Sequence, residues 1–386
     1  MAGKTYNFGS LQFRQFSRRD FLKLAALTGM LAGCRPLASA APTPVASSAP
    51  TTANFPTATS APTRTAAPKP SDTATPTNTP EIEAAVTSQV AFVKTKDRFA
   101  GVQQAIDLLG INPVAGKTVF IKPNYNSADP APGSTHPDTL RSLVLKLREL
   151  EAQEITLGER SGMGRTGQVL QQMGVFALAG ELGFDVIDFD RLEAEEWQTF
   201  TPPGSHWQQG FCLAGPCLQA DTIVQVCCLK THRFGGHFTL SLKNSVGLVA
   251  AIVPGEGYNY MEELHSSRHQ RTMIAEINAA YTPALVVLDG VTAFTNGGPD
   301  TGKQVSPEVI LAGTDRVAID AVGVALLRYF GTTAEVSEGP IFAQEQIARA
   351  VELGLGVDHP EAIELVTGDP DSAAYASQIQ EILVGG

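Results

Sequence analysis

No apolar stretch of the 386-residue sequence approaches the roughly 20 residues that a membrane-crossing helix needs, which excludes a multi-span membrane protein. Charged residues are sparse at 17%, too few for a coiled coil, and the 36 glycines and 25 prolines follow no collagen-like repeat. Cysteine is scarce as well. None of the five lies in a Cys-x-x-Cys spacing, which argues against a cysteine-held metal cluster. Cations run short after residue 80, where 20 Lys/Arg face 37 Asp/Glu, a balance of −17, whereas residues 1–80 carry eight Lys/Arg and two Asp/Glu. So acidic a body argues against nucleic acid as a partner, because duplex binding depends on clustered cations. Any anion it binds has to be held by a local basic pocket. With 43% hydrophobic residues, the chain can build the buried core of one large domain or two ordinary ones.

The N-terminal segment reads as an address. Arg18 and Arg19 precede Asp20-Phe21-Leu22-Lys23, and an apolar run of about ten residues follows to Gly33, the length of a signal-peptide core. The paired arginines match a twin-arginine export signal. Leu31-Ala32-Gly33-Cys34 resembles a lipoprotein box, with Cys34 as the lipidated mature N-terminus; the alternative is an ordinary small-residue cleavage site. These features predict export by the twin-arginine machinery and attachment by a lipid to the outer side of the cytoplasmic membrane or the cell surface. From Pro36 to Pro80, Pro, Thr, Ser and Ala fill 37 of 45 positions, a composition that cannot bury enough apolar surface to offset its ordering entropy. The expected layout is a signal with lipobox over 1–34, a disordered tether over 35–85 and a folded domain over 86–386.

Within that domain, Val- and Ile-rich runs alternate with segments of helical period. Strands are expected at 90–94, 118–122, 154–158, 185–189, 222–229, 284–289 and 309–313. Helices are expected at 100–109, 137–151, 168–182, 268–280, 316–330 and 344–353. The alternation predicts an α/β domain with a mostly parallel sheet flanked by helices. Ile223 to Leu229 shows no polar alternation, as befits a strand covered on both faces. Ligands of such sheets gather beyond the carboxyl ends of the strands, which directs attention to the polar residues there. Those are Lys122-Pro123-Asn124, Ser134-Thr135-His136-Pro137, Glu159-Arg160, Lys230-Thr231-His232, His237, Leu242-Lys243-Asn244 with Gly247, Asp289-Gly290 and Gly298-Pro299. Gly116-Lys117-Thr118 precedes a strand rather than a helix and is not a phosphate loop.

These segments, in this order and together with Asp315-Arg316-Val317-Ala318-Ile319-Asp320-Ala321, resemble the domain of unknown function 362 family over about residues 88–330. The resemblance implies no assigned reaction. Many relatives read Pro-Lys-Leu-Lys-Thr-His where this chain has Cys227-Cys228-Leu229-Lys230-Thr231-His232, so one lysine is missing. The ferredoxin-like cysteine cluster of some relatives is missing too, and no iron–sulfur cofactor is expected.

Lys122, Lys230 and Lys243, with Asn124 and Asn244, are candidates to bind a small carboxylate or phosphate, since a shared pocket would present positive potential and several N–H donors. The plainer reading is that each lysine pairs with a surface carboxylate. His136 and His232 are candidates for general acid or base, because imidazole titrates near neutrality. His136, His232 and His237 with Glu159 and Asp289 also offer ligands to a divalent metal, although His232 and His237 lack the i, i+4 helical spacing; the alternative is that each histidine caps or bridges backbone groups. Lys230 or Lys243, desolvated among cations, is also suited to a Schiff base with a carbonyl compound. Cys212 and Cys217 would form a disulfide after export if geometry permits, and Cys227 with Cys228 reads as core packing. Two functions stay open: an enzyme acting on a small anion by acid/base chemistry, or a non-catalytic solute-binding surface lipoprotein.

Overall fold

Short apolar runs become strands here because both sheet faces are covered, so consecutive side chains bury on opposite sides. In the computed structural model, which describes residues 87–385, Val90 and Phe92 of the first strand join one hydrophobic cluster while Ala91 and Val93 join another. The signal, lipobox and tether readings, with Arg18, Arg19 and Cys34, lie outside the described residues.

Among the described residues there are twelve strands: β1 (Ser88–Lys94), β2 (Thr118–Lys122), β3 (Glu154–Glu159), β4 (Asp185–Asp188), β5 (Trp197–Phe200), β6 (Phe211–Ala214), β7 (Thr222–His232), β8 (His237–Thr239), β9 (Leu285–Gly297), β10 (Gly302–Val305), β11 (Val309–Gly313) and β12 (Ile363–Val366). The main sheet runs β12-β1-β11-β9-β7-β2-β3-β4, with β10 added to β9 and β8 to β7, while β5 and β6 pair separately. β9, β7, β2, β3 and β4 are mutually parallel, and β1 is parallel to β12; β11 lies antiparallel to both β1 and β9. The expected α/β architecture with a mostly parallel sheet is therefore present.

The Arg98–Leu109 and Pro137–Glu149 helices cover one face, and the Arg316–Tyr329, Glu345–Glu352 and Pro370–Gly385 helices pack against the other. A third cluster, including Phe120, Phe211, Leu248 and Met273, fills the space beside the β5–β6 hairpin. Side-chain caps fix several helix starts: Asp97 accepts from the Ala100 amide, and Asp315 accepts from Val317 and Ala318. The expected helix at 168–182 divides into Thr166–Gln172 and Val175–Leu182 around Gly174, whose φ of 73° ends one helix before the next begins. Among the described residues no helix is long and apolar enough to cross a membrane.

One topological feature positions the site. From β2 the chain adds β3 and β4 towards one edge, then returns to add β7 and β9 on the other side of β2. The direction of growth thus reverses between β2 and β7, leaving a crevice outside their carboxyl ends.

Candidate functional site

The last residue of β2 is Lys122, the last of β3 is Glu159 and the last three of β7 are Lys230, Thr231 and His232. Because these strands are neighbours in the sheet, their polar ends meet. Lys122, Glu159, Lys230 and His232 line a cavity of about 50 Å³ with Asn124, Asn126, Arg160, Thr239, Lys243, Asn244 and Gly247. A wider hollow of about 890 Å³ shares Asn126, Arg160, His232 and Lys243 with it and adds Met163, Phe234, Met261 and His265. The small cavity is the floor of the larger one.

Each cation is held differently. Lys122 donates from Nζ to Glu159 Oε2 at 2.8 Å and to the Pro123 carbonyl. Glu159 also accepts from the amides of Tyr125, at 2.9 Å, and Arg160, at 3.0 Å. Burial pushes the lysine pKa down and the glutamate pKa up, while their mutual attraction opposes both shifts. Gly247 makes this pairing possible, since a Cβ there would lie 2.3 Å from Glu159 Oε1 and 2.8 Å from Lys122 Nζ.

Lys230, fully buried, donates to Asn124 Oδ1 at 2.9 Å and to the Gly133 carbonyl at 2.5 Å. Asn124 donates in turn to Asn244 Oδ1, and Asn244 donates to the carbonyls of Lys122 and Val226, each at 3.2 Å. The two asparagines therefore tie the ends of β2 and β7 together and fix Lys230. Arg160 uses Nε on the Val249 carbonyl at 2.6 Å, one terminal nitrogen on the Val246 carbonyl and Met261 Sδ, and the other on the Ser161 carbonyl at 3.4 Å. It is buried and no carboxylate pairs with its guanidinium among the described residues.

Lys243 stands apart. It is 8% exposed, and its ammonium has no hydrogen-bond or ion-pair partner among the described residues. Burial, with Lys230 and Arg160 beside it, pushes its pKa down to about 7. It rides on a one-turn helix, Ser241–Asn244, whose first amides donate to Asp320 at 2.7 and 3.1 Å. Next to it, His232 is buried with Nδ1 unpartnered, and burial followed by Lys243 and Lys230 holds its pKa well below 6.5. A Cβ on Gly236 would lie 2.6 Å from Lys243 Cε and 3.1 Å from His232 Nδ1, so the two side chains share one wall. Thr239 Oγ1 is buried and unpartnered at the same cavity. Polar atoms without partners inside a cationic cavity are what a site for a polar, negatively charged ligand requires.

Lys122, Asn124, Lys230, Lys243, Asn244, Glu159 and His232 thus converge, and Arg160, noted at its strand end but given no role there, joins them. Its signal was its place directly after Glu159 at the end of β3. Three other expectations need correction. His136 does not line the cavity: it caps the Pro137–Glu149 helix, accepting from the Asp138 amide at 3.1 Å. His237 does not line the small cavity; it lines an adjoining cleft with Thr333 and Glu335 that shares His232 with it. Asp289 is occupied by Arg98 at 2.8 Å, Thr139 at 2.7 Å and the Val291 amide. With Glu159 committed to Lys122, the five residues proposed as metal ligands do not form a set, and among the described residues no group of three or more His, Cys, Asp or Glu is placed to hold a metal. Cys212 and Cys217 are free buried thiols rather than a disulfide, Cys212 donating to Tyr260 Oη at 3.1 Å. Cys227 lies in the core as expected.

Fold and site together define an α/β domain with a cationic crevice at the switch point of its sheet. The chain belongs to the family described as Domain of unknown function (DUF362), whose model matches residues 119–325. It is similar to the Thylakoid-associated protein sll1697 of Synechocystis sp., 24% identical over 256 residues that make up 64% of this chain and 74% of the relative. Among solved structures it is similar to the lactate racemase apoprotein from Thermoanaerobacterium thermosaccharolyticum, at 14% identity and a TM-score of 0.39, covering 60% of this chain. The match spans about half of that structure, 54% of its chain.

Proposed function

We propose that this protein is an enzyme that seats a small carboxylate or phosphate on Lys230, Lys243 and Arg160 and moves protons on it with His232. The carrying observation is a cavity bordered by four cationic side chains and one carboxylate, in which Lys243 has no partner. Lys122 neutralises Glu159, so the remaining cations face the cavity uncompensated. A neutral, buried imidazole beside an amine of lowered pKa forms a proton-transferring pair near neutral pH, which favours an enzyme over a passive receptor. In the same reading the protein is exported through the signal at Arg18 and Arg19 and held at the outer face of a membrane by lipid on Cys34.

Titration calorimetry of the full chain with oxalate and with inorganic phosphate tests the anion site. Lys243→Gln is expected to weaken binding at least about tenfold, whereas Arg141→Gln, on the surface pair with Glu181, leaves it unchanged. Failure of both anions to bind would remove the reading. Once a substrate is found, His232→Asn separates the two functions: an enzyme loses turnover at retained affinity, and a receptor loses affinity alone.

A further inference from the structure

The anion reading leaves unexplained why one lysine of the crevice has no partner at all. Lys122 and Lys230 each have two acceptors, and Arg160 has carbonyls and a thioether. Lys243 has none, and its stem lies against Gly236, where any larger residue would meet it. An amine on a largely buried side chain, unpaired and beside other cations, has the environment that favours the neutral, nucleophilic form. Resting on the anion reading, we propose that Lys243 forms an imine with the carbonyl carbon of a small 2-oxo carboxylate, whose carboxylate group is held by Lys230 and Arg160.

The geometry selects this class of compound. In a cavity of about 50 Å³ there is space for roughly four waters, which suits a carboxylate and an adjoining carbonyl. Lys230 borders only this inner cavity, while Lys243 and Arg160 border both the cavity and the outer hollow. A carboxylate on Lys230 and a carbonyl on Lys243 must therefore be neighbours in the molecule. Substituents beyond the carbonyl extend into the hollow, past Phe234, Met163 and Met261. Lys230 keeps one donor after its two contacts, and Arg160 keeps one of its five, so both can hold the carboxylate without giving up their present partners.

The step balances without an oxidant or reductant. Neutral Lys243 adds to the carbonyl carbon, forming the C–N bond as the carbonyl π pair moves to oxygen. One proton from the nitrogen and one taken up from solvent through His232 join that oxygen, which leaves as water when the C–O bond breaks. A protonated imine remains, and it acidifies the neighbouring C–H, so bound substrate exchanges that hydrogen with solvent.

The test uses the full chain with pyruvate as the probe. Borohydride reduction followed by peptide mass spectrometry is expected to find an N-carboxyethyl group on Lys243, and deuterium exchange at the pyruvate methyl is expected to rise over solution. Lys243→Arg, which cannot form an imine, should abolish both, whereas Arg141→Gln on the surface pair with Glu181 should leave both unchanged; an unfolding curve verifies that Lys243→Arg is folded. Oxalate binding with no label, or a label on Lys230 or Lys122 instead, overturns the imine and leaves the anion site standing. Loss of oxalate binding in the wild-type protein overturns both.

Discussion

Lys243 is a residue whose placement works against the stability of the fold. Its folded pKa of about 7 lies below the ordinary lysine value of 10.5, so between these values the unfolded chain holds more protons than the folded one. Stability from this group therefore rises with pH across that window and is lowest below about pH 7. Lys243→Met, similar in volume and uncharged, is expected to be more stable than wild type by about 1–3 kcal/mol at about pH 6, with the gap closing by about pH 10. Urea unfolding at the two pH values measures it. Burial, then the charges of Lys230 and Arg160, disfavour its protonation. Gly247 carries the opposite expectation. Gly247→Ala drives a methyl into the Lys122–Glu159 pair and should lower stability by about 1–3 kcal/mol, whereas Gly257→Ala, with nothing within 4 Å, should not. The strand-end lysines and asparagines were legible in the sequence because a residue at the carboxyl end of a parallel strand faces the crevice by topology alone. His136 and Asp289 misled because a helix cap and a buried ion pair use the same residue types, and only their partners distinguish them.

At the scale of elements, the site depends on a turn that cannot stand by itself. Ser241–Asn244 is a single helical turn, and its free amides are satisfied by Asp320 from the Arg316–Tyr329 helix. Burial pushes the Asp320 carboxyl up to about 8, so the neutral acid is populated near neutrality. Asp320→Ala is expected to leave two buried donors unpaired, lower stability by about 2–4 kcal/mol and weaken oxalate binding through displacement of Lys243. Asp320→Asn keeps an acceptor for one of the two amides but turns its NH2 on the other, so it should lose less than Asp320→Ala without matching wild type; chemical unfolding together with calorimetry checks both. Periodicity located the central strands but ended β7 at Leu229 and β9 at Asp289, whereas they continue to His232 and Gly297. The extra residues of β7 are polar, and those of β9 break the apolar run with Gly290, Thr292, Thr295 and Asn296; β8 and β10 supply much of their strand pairing. The Pro370–Gly385 helix had no strong apolar period. Its signal was Asp369 before Pro370, where the carboxylate accepts from the Ser372 amide.

For the whole molecule, an acidic body brings four of its cations, Lys122, Arg160, Lys230 and Lys243, to one crevice, and the proposed role of the basic N-terminal segment is transport. Cys34→Ser is expected to move the protein from the membrane fraction to the soluble fraction on ultracentrifugation, and unchanged sedimentation would remove the lipid anchor. The architecture was legible because alternation of strand and helix constrains topology strongly. The pairing of β1 with β11 and β12 was not, since nothing local to 88–94 says which edge it joins.

Asn124 and Lys230, 106 positions apart in sequence, touch across the floor of the crevice. A ligand seated there acts as a staple between chain segments that come together only in the finished fold. Its affinity is conferred on the cooperative unfolding of the whole body, so occupancy also protects the protein from proteolysis at sites remote from the crevice.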